Sequence, residues 1–280
     1  MKTIKNIPVK GKHQKPILTD LFYIADNQAK DLVIFCHGFK GYKDWGAWHL
    51  VAEMFAKHHL FFVKMNFSHN GGTIEQPIDF PDLEAFGNNN FTKELDDIET
   101  VLDWITEHKA IQKDINFNNI TLIGHSRAGG TVLIKAAENK RISKVITWAG
   151  VSDFGARLPQ GDTLKTWEEN GVVHIMNART NQQMPLYFQL YEDFKANEHR
   201  LNIKSAVENL NIPYLIIHGT KDTTVPIEEA LNLNSWSSDN QLISLENANH
   251  TFGNSHPWLK KDLPQDLRTA VEKSLQFLIS

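Results

Sequence analysis

Six short runs of apolar, largely β-branched or aromatic residues recur along the chain, and longer amphipathic stretches fall between them. The runs are Leu32–Cys36, Phe61–Phe67, Ile120–Ile123, Val145–Trp148, Tyr214–Ile217 and Leu242–Leu245. Several are almost wholly apolar, which is the pattern of a strand covered on both faces. Helical spacing marks Trp45–His58, Phe91–Ala110, Arg127–Asn139 and Ile227–Asn234. The second is the clearest, with Leu95, Ile98, Leu102 and Ile105 three or four residues apart and charges opposite. Pro264–Ile279 reads as a terminal helix whose proline takes the first position, where a missing N–H costs nothing. This alternation predicts an α/β fold: a mostly parallel central sheet flanked by helices on both faces. Residues 1–25 read as one or two leading strands.

One segment breaks the rhythm. Residues 154–206 separate two sheet strands by far more chain than a connection of this kind needs. They carry Trp167, Met176, Met184, Tyr187, Phe188, Tyr191 and Phe194, too many large apolar side chains for a disordered loop. An inserted helical cap, or lid, over the sheet is expected there. Residues 1–153 and 207–280 then form the core.

Composition removes several classes of function. The net charge is −4 and there is no basic run, so a nucleic-acid partner is not expected. The single cysteine, Cys36, rules out an intrachain disulfide framework and a cysteine-rich zinc site. Cys36 lies inside an apolar run and reads as a core residue. The histidines show no metal-ligand spacing, so no metal or organic cofactor is expected. No apolar run approaches the roughly 18 residues of a membrane span, and Met1–Pro16 lacks the apolar core of a secretory signal. A cytoplasmic location follows as the expectation, with oligomeric state open.

The chemistry concentrates at the ends of the apolar runs. Ser126 lies in Ile123-Gly124-His125-Ser126-Arg127-Ala128-Gly129-Gly130, with a strand just before it and a helix just after. That is the setting of a nucleophile elbow, a sharp turn that lifts a hydroxyl above a sheet. Small flanking residues are needed because the turn brings two backbones together. Ala128 stands where the pattern usually has a second glycine. A serine hydroxyl is a weak nucleophile until a base takes its proton, and histidine titrates near neutral pH. His250, after the run ending at Leu245, is the candidate base, and Asp222, after the run ending at Ile217, is the candidate acid that orients it. Both lie at carboxyl ends of strands, where open α/β sheets build their sites. Asp153 and His256 are the rivals, set less favourably relative to the strands. The side chain of His125 is expected to turn away from the hydroxyl. Val33-Ile34-Phe35-Cys36-His37-Gly38-Phe39 supplies a further element: the backbone N–H of Phe39, beside that of Arg127, is placed to form an oxyanion hole.

His37-Gly38-Phe39, Gly124-His125-Ser126-Arg127-Ala128-Gly129, His218-Gly219-Thr220-Lys221-Asp222 and Asn249-His250 resemble the signature stretches of the α/β-hydrolase superfamily. Within it the chain is similar to small bacterial serine esterases of the cinnamoyl or feruloyl type and to dienelactone hydrolase-like proteins. The resemblance covers residues 17–280. It implies an α/β-hydrolase fold with Ser126 as nucleophile, Asp222 as acid, His250 as base, and Phe39 and Arg127 as oxyanion donors. The implied activity is hydrolysis of carboxylic esters of small molecules through an acyl-enzyme. A serine stands where dienelactone hydrolases proper carry cysteine and where dehalogenases and epoxide hydrolases of the fold carry aspartate. Asn66-Phe67-Ser68-His69-Asn70-Gly71 replaces an arginine-containing loop found in many members. Trp45, Trp48, Met184, Tyr187 and Phe188 are the candidate pocket residues, and Arg127 or Arg179 the candidate contacts to a polar substrate group. A peptidase or thioesterase shares the same machinery; a peptidase would read an amino terminus with Glu168, Glu169, Glu192 or Asp193. A non-catalytic ligand-binding protein of the fold is the remaining alternative.

Overall fold

The structure, a computed structural model, describes residues 1–279. Ten strands are β1 (Lys2–Lys10), β2 (Pro16–Tyr23), β3 (Lys30–Cys36), β4 (Phe61–Met65), β5 (Ile115–His125), β6 (Lys144–Trp148), β7 (Val172–Asn177), β8 (Gln182–Tyr187), β9 (Tyr214–Gly219) and β10 (Asn240–Leu245). Among the described residues nine α-helices lie between and after them: α1 (Trp48–Lys57), α2 (Leu83–Gly87), α3 (Phe91–Glu107), α4 (Arg127–Glu138), α5 (Gly161–Asn170), α6 (Gln189–Ala196), α7 (Ile203–Glu208), α8 (Ile227–Ser235) and α9 (Gln265–Ile279).

Eight strands form one sheet in the order β1-β2-β4-β3-β5-β6-β9-β10. The leading pair is antiparallel to its neighbours, and every pairing from β4 to β10 is parallel. The predicted central strands are all present, most of them a residue or more longer than their apolar runs. Strands extend beyond those runs because ladder pairing continues where side chains become polar, as at Lys30 and Asp31 of β3, which pair with Ile115 and Asn116 of β5.

Period-two alternation divides the apolar side chains between two cores. On β3, Leu32, Ile34 and Cys36 enter one, while Val33 and Phe35 enter the other. The first core is closed by α3, α4, α7 and α8 and the second by α1 and α9. The stripe Leu95, Ile98, Leu102, Ile105 of α3 is fully buried, each side chain contributing about 1.5–3 kcal/mol of transfer free energy. Asn90 caps that helix by accepting from the Lys93 N–H at 2.9 Å. Among the described residues no helix is long and apolar enough to cross a membrane.

The segment between β6 and β9 is not purely helical. It holds α5, α6 and α7 and also the antiparallel hairpin β7–β8, a two-stranded sheet separate from the large one. The expected helical cap also carries this hairpin because Val172–Asn177 is mostly intermediate or exposed and its sheet partner is local. Trp167 of α5 is fully buried and donates from Nε1 to the Leu186 carbonyl at 2.8 Å, tying helix to hairpin.

Candidate active site

Ser126 is the turn between β5 and α4, at φ 60° and ψ −124°. That conformation costs a non-glycine residue about 1–3 kcal/mol and persists only when its surroundings impose it. Here the Ser126 N–H donates to the Trp148 carbonyl at 2.9 Å, and the Ser126 carbonyl accepts from Gly129 at 2.8 Å and Val151 at 3.3 Å. The turn folds the helix back onto the strand so tightly that a Cβ on Gly124 would stand 2.2 Å from the Ala128 carbonyl oxygen. Ala128 in place of a second glycine is accommodated because its methyl enters the core. Gly124→Ala is therefore expected to destabilise the protein by about 3 kcal/mol or more, since the obstacle is backbone. Urea denaturation checks this; an unchanged midpoint would contradict the geometry.

His250 lies in the loop after β10, and its Nε2 is 3.0 Å from Ser126 Oγ. Its Nδ1 is 2.7 Å from Asp222 Oδ2. Asp222 follows β9, and its Oδ1 accepts from the Thr224 and Val225 amides, both at 2.8 Å. An ionised carboxylate only accepts, so Nδ1–H of His250 donates to Asp222 and Nε2 is left to accept from the serine hydroxyl. Burial raises the Asp222 pKa, but hydrogen bonds from His218 and His250 and from the Val225 N–H outweigh it and hold the carboxyl well below the usual carboxylate range.

Two further histidines brace the arrangement. His218 at the end of β9 is fully buried, and its Nε2 faces the Val225 carbonyl at 2.8 Å and Asp222 Oδ2 at 3.4 Å. His125 does turn away from the hydroxyl: its Nε2–H donates to the His250 carbonyl at 2.9 Å. Burial, with His250 nearby, pushes the His125 pKa down to about 3, so this imidazole is neutral. Neither role was read from the sequence. The visible signal for His218 was its place four residues before Asp222, at a strand end.

The loop after β3 passes directly over the serine, where a Cβ on Gly38 would stand 2.7 Å from Ser126 Cβ and 3.2 Å from Oγ. No acceptor among the described residues takes the next amide, Phe39 N–H. Arg127 N–H is the first of α4, one of the donors a helix leaves without an internal partner. His37 fixes the loop: its Nδ1–H donates to the Gly38 carbonyl at 2.9 Å and its Nε2 accepts from Phe67 N–H at 3.3 Å. Burial pushes its pKa down to about 4 despite the Gly38 hydrogen bond.

A cavity of about 550 Å3 opens onto Ser126 and His250. Trp45 and Trp48 line it, as expected, along with Phe91, Phe154, Leu186 and Leu190. Met184, Tyr187 and Phe188 do not line it. Met184 is fully buried in a separate cluster with Tyr42, Phe80 and Phe86. The Tyr187 hydroxyl donates to Glu84 at 2.5 Å. Phe188 stacks on Tyr191 and meets Trp167 edge-on within the inserted segment. All three lie on or next to β8, but the hairpin turns them toward neighbouring elements instead of the serine. The rivals Asp153 and His256 also stand apart from the hydroxyl. Asp153 accepts from the Gly155 and Ala156 amides, and His256 accepts from Gly46 N–H at 2.9 Å.

Folding stability should fall on acidification. Burial lowers His37 and His69 to about 4 and His125 to about 3, so between pH 6.5 and 4 the unfolded chain binds protons that these residues refuse. Buried Asp97, raised to about 7, acts in the opposite sense. These imidazoles, joined by His49 and His256, which burial also lowers, outnumber the one carboxyl and leave a net proton uptake on unfolding in that window. Denaturation midpoints that rise as the pH is lowered through it would contradict this.

Solved structures share this architecture. Est1E from Butyrivibrio proteoclasticus, solved with ferulic acid bound, superimposes with a TM-score of 0.73 at 18% identity, covering 98% of each chain. A putative hydrolase from Agrobacterium vitis gives 0.73 at 18% identity, covering 100% of this chain and 99% of that one. Dienelactone hydrolase from Anabaena variabilis gives 0.64 at 15% identity, covering 100% and 98%. At these identities the likeness establishes the α/β-hydrolase fold. No curated protein matches the chain. The BD-FAE family model matches residues 79–237, a stretch that includes Ser126 and Asp222 and ends before His250. That match spans more than half of the sequence, and the chain belongs to the BD-FAE family.

Proposed function

We propose that the protein is a serine hydrolase that cleaves carboxylic esters through an acyl-enzyme. The observation that carries this reading is the unbroken hydrogen-bonded chain from Ser126 Oγ through His250 to Asp222, facing a largely apolar cavity. His250 Nε2 accepts the serine proton as Oγ attacks the ester carbonyl. The Phe39 and Arg127 amides hold the oxyanion, and Asp222 stabilises the imidazolium that forms. The imidazolium then protonates the departing alcohol. Water, deprotonated by the same imidazole, attacks the acyl-enzyme and releases the acid. Membership of the BD-FAE family and the likeness to Est1E, solved with ferulic acid, support an ester with an aromatic or otherwise apolar part.

The peptidase alternative finds no support in the cavity. None of its lining residues is acidic. Asp193 is spent on the Thr92 amide and on Asn197. Hydrolysis of p-nitrophenyl esters from acetate to dodecanoate tests the proposal, with aminoacyl p-nitroanilides run alongside. Ester turnover with a chain-length optimum is expected, and no amide turnover. Amide turnover without ester turnover would reverse the assignment.

A further inference from the structure

Four cations line the cavity above Ser126, namely Lys40, Arg127, Arg157 and Arg179, and no aspartate or glutamate does. Three of the four are each matched by a carboxylate that is not part of the lining. Arg127 pairs with Glu94, Arg157 with Glu229, and Arg179 with Asp79 at 2.5 Å. Lys40 differs. No carboxylate among the described residues pairs with it, and it follows directly on Phe39, whose N–H has no acceptor among the described residues. The Arg127 guanidinium packs over the Phe39 ring, 4.7 Å from its centroid, and its buried Nε has no hydrogen-bond partner. The rest of the lining is largely aromatic and aliphatic.

A wall of this kind favours one class of substrate. An anionic group entering the cavity loses hydration, and a desolvated charge is tolerated only where an opposite charge or hydrogen-bond donors replace the water. Lys40 supplies an ammonium with no carboxylate partner. A cationic amine would meet the unpaired Lys40 and no carboxylate in the lining. We propose that the physiological substrate is an ester with an apolar body and a carboxylate, and that Lys40 is the specificity-determining residue that receives the carboxylate. This rests on the serine-esterase reading above and adds the substrate's charge to it.

The carboxylate can belong to the acyl part or to the alcohol part, and two pairs of esters distinguish these. Mono-p-nitrophenyl suberate is compared with p-nitrophenyl suberamate, which replaces the terminal carboxylate by a neutral amide of the same size. 4-(Carboxymethyl)phenyl butanoate is compared with 4-ethylphenyl butanoate. The readout is the ratio of kcat/KM within each pair, after subtracting Ser126→Ala, so that general damage in a variant cancels. In one of the two pairs the anionic ester should be preferred by about tenfold or more, the size of one charge-assisted hydrogen bond. Lys40→Gln should bring that ratio close to one. Raising the salt should shrink it in the native protein, because the Debye length falls from about 10 Å at 0.1 M toward 3 Å at 1 M. If Lys40 served only to stabilise the oxyanion, both members of a pair would slow together and the ratio would stay put, which overturns the inference. Equal Ser126-dependent turnover of charged and neutral esters in both pairs also overturns it while leaving the esterase reading intact. No Ser126-dependent turnover of any of the four overturns both.

Discussion

Ser126→Ala should lower kcat for ester hydrolysis by about 10^5–10^6-fold with little change in folding stability. Without Oγ the His250 imidazole has no hydroxyl to deprotonate, and residual hydrolysis should come only from oxyanion donors and binding, as in serine enzymes that lose a member of the triad. The substitution removes one hydroxyl beside a water-accessible cavity and leaves the backbone bonds of the turn in place. An added cavity or an orphaned buried group is therefore not created, and the unfolding midpoint should move by less than about 0.5 kcal/mol. Steady-state assay and urea denaturation on the same preparation separate the two quantities. A variant that retains activity within tenfold would show that another group does the chemistry.

Asp222→Asn should cost about 10^4-fold in kcat while the chain stays folded. An asparagine carbonyl keeps the bonds from the Thr224 and Val225 amides, which now go to Oδ1 at 2.8 Å. The amide NH2 then faces His250 Nδ1 in place of Oδ2, which lies 2.7 Å away. A donor facing Nδ1 drives the imidazole proton onto Nε2, and Nε2 can no longer accept from Ser126. Asp222→Ala separates orientation from folding. It orphans two backbone amides and leaves buried His218 without its carboxylate contact, adding a stability loss of about 1–3 kcal/mol for unsatisfied buried groups. Equal activity losses with equal stability losses in the two variants would contradict the tautomer argument. Because the Asp222 carboxyl is held well below the usual carboxylate range, it stays charged through any acidic decline in rate observed above pH 4.

Much of this was legible in the sequence because the central strands advertise themselves. Val33, Ile34, Phe35 and their counterparts are buried on both faces, so the strand pattern needs no knowledge of the partner. The motif residues were equally visible, since Ser126 and Asp222 each follow such a strand and His250 follows the apolar run of the half-exposed edge strand β10. Residues whose partners are distant in the chain were not visible. Three of the five pocket candidates, Met184, Tyr187 and Phe188, lie off the cavity, because a large apolar residue in the inserted segment looks alike whether it meets substrate or, as Met184 does, Phe86 and Tyr42, and only the hairpin register decides. Lys40, Arg157 and the bracing His125 and His218 carry no periodic signal at all. Their roles arise from loops that meet only after the sheet has formed, such as His125 reaching the His250 carbonyl. Neither motif nor periodicity revealed Val172–Asn177 as a strand, because its pairing with Gln182–Tyr187 leaves it peripheral and half exposed.

In the proposed mechanism Ser126 Oγ forms a covalent acyl intermediate. The most direct test mixes the protein with p-nitrophenyl acetate, quenches with acid before turnover is complete, and maps the digested peptides by mass. A single acetyl group is expected on the peptide containing Ser126, absent from Ser126→Ala. An acetyl group on another residue, or rapid p-nitrophenol release with no acylated peptide at any quench time, would contradict it.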